Sequence, residues 1–122
     1  MFDHVCFGVS DYAASKAFYL QALAPLGIAI VAENALGLEL STDGRTSLCF
    51  NQSDVKPAPL HLAFRASSRQ QVDAFHRAAL AAGGRDNGAP GLRTRYAPNY
   101  YAAFVIAPDG HNVEAVCHEG ED

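Results

Sequence analysis

The stretch HVCFGVS at residues 4–10 is repeated 57 positions later as HLAFRAS at residues 61–67. When this overlay is extended to 24 residues, nine positions are identical. A repeat of this size, in a chain of this length, indicates two copies of one structural unit. The join is predicted at residues 56–59, because the two prolines there cannot donate hydrogen bonds to a sheet and suit a linker.

Each copy begins with a strand and continues into a helix. Apolar residues alternate with other residues over positions 4–9 and 60–65, which is typical of strands with one buried face. Helix starts are predicted at Ser10-Asp11 and at Ser67, where Gln70 gives a capping-box pattern. Three short strands follow each helix. The sequence therefore predicts an α+β fold in one domain, with two tandem βαβββ modules (about 1–56 and 57–122) forming a curved eight-stranded mixed sheet, or cup, with helices on its outer face.

The composition is that of an ordinary globular chain. Of the 122 residues, 49% are hydrophobic and 18% are charged, which argues against disorder, collagen-like repeats and coiled coils. The formal net charge of -4 argues against a broad basic face, so we expect no nucleic-acid partner. No apolar run is long enough to cross a membrane, and no basic-then-apolar leader opens the sequence. We therefore expect no membrane partner and a cytoplasmic location.

Three polar residues are predicted to share the inner face of the cup. His4 and His61 alternate with the apolar positions of their strands, and Glu114 lies between Val113 and Ala115 in the last strand. A carboxylate in so apolar a strand is costly to bury without a partner. Few lysines or arginines are close to it in the sequence, so we predict a divalent metal shared by these three side chains. Two histidines and one carboxylate leave coordination positions open, which favours catalysis over a structural role.

The three cysteines, Cys6, Cys49 and Cys117, are odd in number and contain no Cys-x-x-Cys pair. This pattern argues against a disulfide framework and a structural zinc site, and it predicts reduced thiols in the core. Cys49 differs from the other two, because the module overlay aligns it with Glu114. At that position it is either a soft fourth metal ligand or a small apolar filler.

The chain resembles the vicinal oxygen chelate superfamily, which includes glyoxalase I, extradiol dioxygenases, and fosfomycin and bleomycin resistance proteins. The resemblance rests on the motifs HVCFGV, FY, HLAF and PDGHNVE, at residues 4–9, 18–19, 61–64 and 108–114. It implies two βαβββ modules around a divalent metal held by His4, His61 and Glu114. Glyoxalase I has a glutamate as fourth ligand where this chain has Cys49 or a neighbour, whereas the three-ligand extradiol dioxygenases are usually longer. The resemblance also implies a homodimer.

Candidate substrate contacts lie at the mouth of the predicted cup. Arg65 follows His61 on the same strand face, and Arg95 and Tyr101 belong to a cluster of arginines and tyrosines that also contains Arg93, Tyr96 and Tyr100. Arginine beside tyrosine suits a small anionic or aromatic molecule, although a solvated loop with interfacial tyrosines has the same pattern. We predict substrate-binding roles for Arg65, Arg95, Tyr101 and Phe50. Glu114 and Tyr101 are the predicted catalytic residues, with Tyr101 as an acid or hydrogen-bond donor.

The sequence also gives expectations for a loop segment and for a further histidine. The loops at residues 86–100, which begin with a Gly- and Pro-rich stretch at residues 86–95, are predicted to set specificity. His111 follows a turn and is predicted to lie at the surface.

Two functions fit these residues. The first is a metal enzyme that uses Fe, Mn, Zn or Ni as a Lewis acid or for oxygen chemistry, and acts as a lyase, isomerase or dioxygenase on a small substrate with adjacent oxygens. The second is a metal-free protein that binds or sequesters a small molecule, as bleomycin resistance proteins do. The intact set of His4, His61 and Glu114 favours the first, since a metal-free binder has no need for these residues to converge.

Overall fold

The computed structural model describes residues 2–55 and 59–120. The predicted linker at residues 56–59 therefore lies largely outside the described residues. The elements of the first module are β1 (His4–Val9), α1 (Tyr12–Leu23), a single 3-10 turn (Ala24–Leu26), β2 (Ala29–Asn34), β3 (Gly37–Ser41) and β4 (Ser47–Gln52). Those of the second are β5 (His61–Arg65), α2 (Arg69–Ala81), β6 (Arg85–Leu92), β7 (Tyr101–Ile106) and β8 (Asn112–Cys117). In the described part of the chain, neither helix has the length and apolar character needed to span a membrane.

The eight strands form two four-stranded mixed sheets, which confirms the tandem βαβββ architecture. The first sheet has the order β1-β4-β3-β2 and the second the order β5-β8-β7-β6. In each sheet the first and last strands of the module pair in parallel, and the remaining pairs are antiparallel. The strands are thus divided between two sheets that share no strand pair, so β1 and β5 are both edge strands.

The Gly- and Pro-rich stretch of the second module is more ordered than its composition indicates. Residues Arg85–Leu92 form β6, which pairs with β7 through register shifts on either side of Gly88. Glycine interrupts regular pairing because it permits backbone angles that other residues rarely adopt, and Gly88 has a φ of 154°. The predicted specificity loop is therefore shorter than expected and begins only after Leu92.

A side-chain hydrogen bond caps the N-terminus of each helix. The carboxylate of Asp11 accepts from Ala14 N at 3.1 Å, as the predicted start of α1 requires. In α2 the cap is Ser68, whose hydroxyl accepts from Gln71 N at 3.2 Å, and Gln71 in turn accepts from Ser67 N at 2.7 Å. The structure therefore contains a capping pattern, but its capping serine is Ser68 and not the predicted Ser67.

A single hydrophobic core joins the two modules. The helices α1 and α2 pack against each other, and the core contains side chains from both sheets and both helices, including Phe7 of β1, Phe18 of α1 and Phe75 of α2. The alternation in β1 and β5 directs the predicted apolar residues into this core. We call the side of each sheet opposite the helices its helix-distal face. It carries His4, Cys6 and Cys49 in the first sheet, and His61, Arg65, Phe104 and Glu114 in the second.

The strand registers test the overlay of the two modules. Cys6 lies opposite Cys49 in the β1–β4 pair, and Ala63 lies opposite Glu114 in the β5–β8 pair. Since Cys6 and Ala63 are equivalent in the repeat, Cys49 is the structural counterpart of Glu114.

The prediction of three reduced thiols is wrong for two of them. Cys6 and Cys49 form a disulfide between β1 and β4, with their Cα atoms 4.4 Å apart. Directly opposed residues on neighbouring strands come within disulfide distance even when they are far apart in sequence, here by 43 positions. In this bonded state Cys49 is neither a metal ligand nor an apolar filler. Cys117 is a buried free cysteine, as expected.

Candidate functional site

The centre of the candidate site is an imidazole–carboxylate pair on the helix-distal face of the second sheet. His61 Nε2 lies 2.7 Å from Glu114 Oε1. The two side chains come from the adjacent parallel strands β5 and β8 and point to the same side. Because a carboxylate only accepts hydrogen bonds, Nε2 carries the proton in this contact.

The two partners differ sharply in exposure. The Glu114 side chain is 1% exposed, whereas that of His61 is 56% exposed. A ligand can therefore reach the imidazole directly, while the carboxylate is held beneath it in a dry environment. Interactions of the carboxylate are strengthened there, because little water screens them.

Tyr100 supplies a second hydrogen bond to the buried carboxylate, which the sequence reasoning missed. Its hydroxyl donates to Glu114 Oε2 in a short contact. Glu114 pairs with Phe104 across the β7–β8 ladder, so even-numbered residues of β7 share its face. Tyr100 immediately precedes β7 with the same parity. Once the register places Phe104 opposite Glu114, strand alternation counted back from Phe104 assigns Tyr100, and not Tyr101, to this face.

Burial, followed by the hydrogen bond to Glu114, raises the pKa of Tyr100 from 10.0 to about 12. A phenol whose folded-state pKa is raised adds stability that is complete below its unfolded pKa and is lost as the pH rises through the folded value.

We therefore expect the urea midpoint of the parent to fall between about pH 10 and pH 12, and to fall less in Tyr100→Phe. Urea denaturation curves recorded across this range test the difference. Tyr12→Phe serves as a comparison, because it removes a tyrosine that has a raised pKa but is bonded to Glu33 and not to Glu114. Parallel pH profiles for the parent and Tyr100→Phe would contradict the assignment.

His4 lies apart from the pair formed by His61 and Glu114. It is on the helix-distal face of the first sheet, exposed, with Nδ1 2.7 Å from Asp3 Oδ1. Within residues 2–55 and 59–120, no three His, Cys, Asp or Glu side chains are arranged to hold one metal ion. The structure therefore brings together two of the three predicted ligands in one chain.

Two residues predicted to contact substrate are on the helix side of their sheets. Tyr101 donates its hydroxyl proton to Asp73 of α2 at 2.7 Å, and its ring lies 5.1 Å from the guanidinium of Arg69. Phe50 is 1% exposed and packs against Tyr19 in the core. Both side chains occupy positions whose strand parity faces the helices. Neither therefore lines the face that carries Glu114, which corrects the expectation that they do.

The two predicted substrate-binding arginines are exposed. Arg65 is on the helix-distal face of the second sheet, opposite Val116 of β8. Arg95 lies in the segment before β7, with its guanidinium 4.9 Å from the ring centre of Tyr96. The structure places Arg65 on the same face as His61, and places Arg95 beside the tyrosines with which the sequence grouped it.

His111 is 2% exposed, so the prediction of a surface position is wrong. Its Nδ1 accepts from Leu60 N at 2.9 Å, and its ring packs edge-on against Phe7 at 5.1 Å. The turn before β8 places His111 next to Leu60 of the second module and Phe7 of the first. There it is part of the packing between modules.

A groove separates the edge strands of the two sheets. It has a volume of about 620 Å³ and is lined mainly by apolar side chains, with Val5, Leu40 and Leu48 on one side and residues 60–65 on the other. His61 belongs to this lining. The exposed member of the candidate pair, His61, thus borders an open groove.

Comparisons with known proteins agree with this architecture. Residues 1–115 match the model of the glyoxalase/bleomycin resistance protein/dioxygenase superfamily. A glyoxalase/bleomycin resistance protein from Albidiferax ferrireducens T118 is 34% identical, with a TM-score of 0.80, over 96% of this chain and 98% of that chain. A putative glyoxalase from Bacillus halodurans is 27% identical, with a TM-score of 0.74, over 96% and 95%.

More distant structures share the fold alone. A lactoylglutathione lyase from Agrobacterium tumefaciens is 18% identical, with a TM-score of 0.68, over 96% of this chain and 92% of that chain. No curated protein matches the chain significantly. The family model and the two nearer structures confirm the resemblance inferred from the motifs: the chain belongs to the glyoxalase/bleomycin resistance protein/dioxygenase superfamily.

Proposed function

We propose that the protein is a divalent-metal-dependent enzyme acting on a small organic molecule with adjacent oxygen atoms, by lyase, isomerase or dioxygenase chemistry. We also propose that it is a homodimer, in which each metal site takes His61 and Glu114 from one chain and His4 from the other. The single observation that carries the proposal is the 2.7 Å contact between a half-exposed imidazole and a buried carboxylate on one sheet face.

The donor set fits a divalent transition metal. An imidazole nitrogen and a carboxylate oxygen are ligands that Fe, Mn, Zn and Ni accept, and the pair needs little movement to share one ion. Nε2 of His61 must lose its proton to act as a ligand. When bound, the metal supplies Lewis-acid polarisation of substrate oxygens.

Tyr100 has a positioning role in this proposal. Its hydroxyl binds Oε2 of Glu114, which leaves Oε1 directed towards His61. A ligating carboxylate that is held by a second hydrogen bond keeps its orientation. With a pKa of about 12, the phenol remains protonated and donates this bond throughout the neutral range.

The edges of the sheets support the dimer. Among the described residues, β1 and β5 each pair with only one strand, and an uncovered edge presents backbone groups that favour pairing with another chain. Because the modules are repeats, β5 of a second copy is able to meet β1 along the groove, which is a self-complementary arrangement. His4 and His61 lie on these two edge strands and would approach each other there.

The disulfide supports a three-ligand site. Cys49 is the counterpart of Glu114, but it is bonded to Cys6. The first module therefore offers His4 and no second ligand at the equivalent position. This favours an arrangement with open positions for substrate.

Metal analysis tests the proposal. The parent, loaded in turn with Fe(II), Mn(II), Zn(II) and Ni(II) and then desalted, is expected to retain about one ion per chain of at least one metal. His61→Ala and Glu114→Ala are expected to reduce metal affinity ten-fold or more. His76→Ala is the matched control, because this histidine lies on α2 and pairs with Asp86 at 3.0 Å.

One observation favours the second candidate, a metal-free binding protein. Both oxygens of Glu114 already accept hydrogen bonds, from His61 and Tyr100, so this carboxylate is satisfied by the chain itself. A parent that takes up none of the four metals, while it keeps its circular dichroism spectrum, would overturn the enzyme proposal in favour of this candidate.

A further inference from the structure

We propose that Arg93 forms an anion subsite beside His61, which selects substrates carrying a carboxylate at the end remote from their adjacent oxygens. The position of the substrate's oxygens rests on the proposed function. The subsite itself rests on how the chain holds this arginine.

Arg93 and His61 are both neighbours of one aromatic ring, that of Phe104. The Phe104 ring centre is 5.5 Å from the Arg93 guanidinium carbon and 6.2 Å from the His61 ring centre. Phe104 pairs directly with Glu114, so its ring belongs to the helix-distal face of the second sheet. A molecule that contacts both His61 and Arg93 therefore also meets this ring, which suits a flat or apolar body between two polar ends.

The guanidinium is held in place by the backbone of β6. Its Nη2 donates to Ala89 O at 2.8 Å. A Cβ added at Gly88 would lie 3.2 Å from Nη2, and one added at Gly91 would lie 3.1 Å from Nη1. The two glycines thus leave the space that the guanidinium fills.

The charge of Arg93 has no counter-ion in the part of the chain that the structure describes. None of the ion pairs found among residues 2–55 and 59–120 includes it. The side chain is half-buried, and only one of its five N–H donors binds Ala89. A fixed guanidinium with unused donors matches a carboxylate, because its planar geometry allows two parallel hydrogen bonds.

Caffeate and its primary amide test the subsite. Both have two adjacent hydroxyls on a ring and a short side chain, and they differ in the charge at its end. Calorimetry on the metal-loaded parent is expected to show caffeate binding about ten-fold or more tightly than the amide. Arg93→Met is expected to remove this difference and leave the affinity for the amide within about two-fold.

Two further variants test whether the preference depends on the position of the Arg93 guanidinium or on positive charge alone. Arg77→Met removes an exposed arginine from α2, to which no binding role is assigned, and is expected to keep the preference for caffeate. Gly91→Ala crowds Nη1 and is expected to reduce that preference while the charge remains. A parent without the preference, or an Arg93→Met variant that retains it, would overturn the proposal.

The same titrations in Glu114→Gln distinguish this proposal from the proposed function. A preference for caffeate that persists there and still depends on Arg93 supports the subsite, whether or not the parent binds metal. If the parent binds metal but shows no dependence on Arg93, the subsite is refuted and the metal site stands.

Discussion

Heterodimers that combine a His4→Ala chain with a Glu114→Ala chain are expected to bind about one metal ion per two chains, although neither variant binds metal alone. In such a heterodimer, one site takes His4 from the Glu114→Ala chain, and His61 and Glu114 from the His4→Ala chain. That site is intact, whereas the other lacks both altered ligands. Differently tagged chains, co-expressed and purified through both tags, allow elemental analysis of the mixed species.

The matched control places both substitutions on one chain and is expected to give the opposite result, a loss of metal. A parent chain paired with a chain carrying both His4→Ala and Glu114→Ala has one broken ligand in each shared site, so this heterodimer is expected to lose metal. If each chain instead held its own metal, the parent chain would retain one ion, and the first heterodimer would bind none. The two mixtures thus give opposite results for the two arrangements. The first mixture remaining metal-free while the second binds metal would refute the shared site.

Replacing both hydrogen-bond donors of Glu114 is expected to cause a large loss of stability. The double variant His61→Ala/Tyr100→Phe should lower the free energy of unfolding by about 3–5 kcal/mol, because it leaves a carboxyl group that is 1% exposed without either partner. Each single variant should cost about 1–3 kcal/mol. Urea denaturation near neutral pH, with no metal added, measures these changes.

Two controls show whether the loss comes from the buried carboxyl group. Adding Glu114→Leu to the double variant removes that group, so it is expected to recover most of the lost stability. Tyr12→Phe removes the same kind of bond, from a tyrosine hydroxyl to Glu33 at 2.7 Å, but this carboxylate is on the surface. Its urea midpoint should stay close to that of the parent. A double variant as stable as the parent would contradict the interpretation.

The faces of the strands could be predicted because alternation is a local property. Residues two apart in a strand point to the same side wherever the strand lies. His61 and Arg65 therefore share a face with each other in the structure, as expected, and Glu114 shares it because β5 and β8 are directly opposed. The overlay of the modules also correctly aligned Cys49 with Glu114.

The choice between Tyr100 and Tyr101 required the register of β7 against β8. The sequence contains both tyrosines, and nothing local shows which of them has the parity of Glu114. In the structure Phe104 lies opposite Glu114, so Tyr100 reaches the carboxylate and Tyr101 reaches Asp73 on α2. A shift of one residue in that register would exchange the two roles.

The sequence by itself determined the repeat, the βαβββ order and the faces of β1 and β5, because these follow from periodicity within a few residues. Only the tertiary structure decided that Cys6 bonds Cys49, that His111 is buried between the modules, and that His4 lies apart from the pair formed by His61 and Glu114. These features depend on which distant segments become neighbours. That is set by packing across the whole core, and no local pattern encodes it.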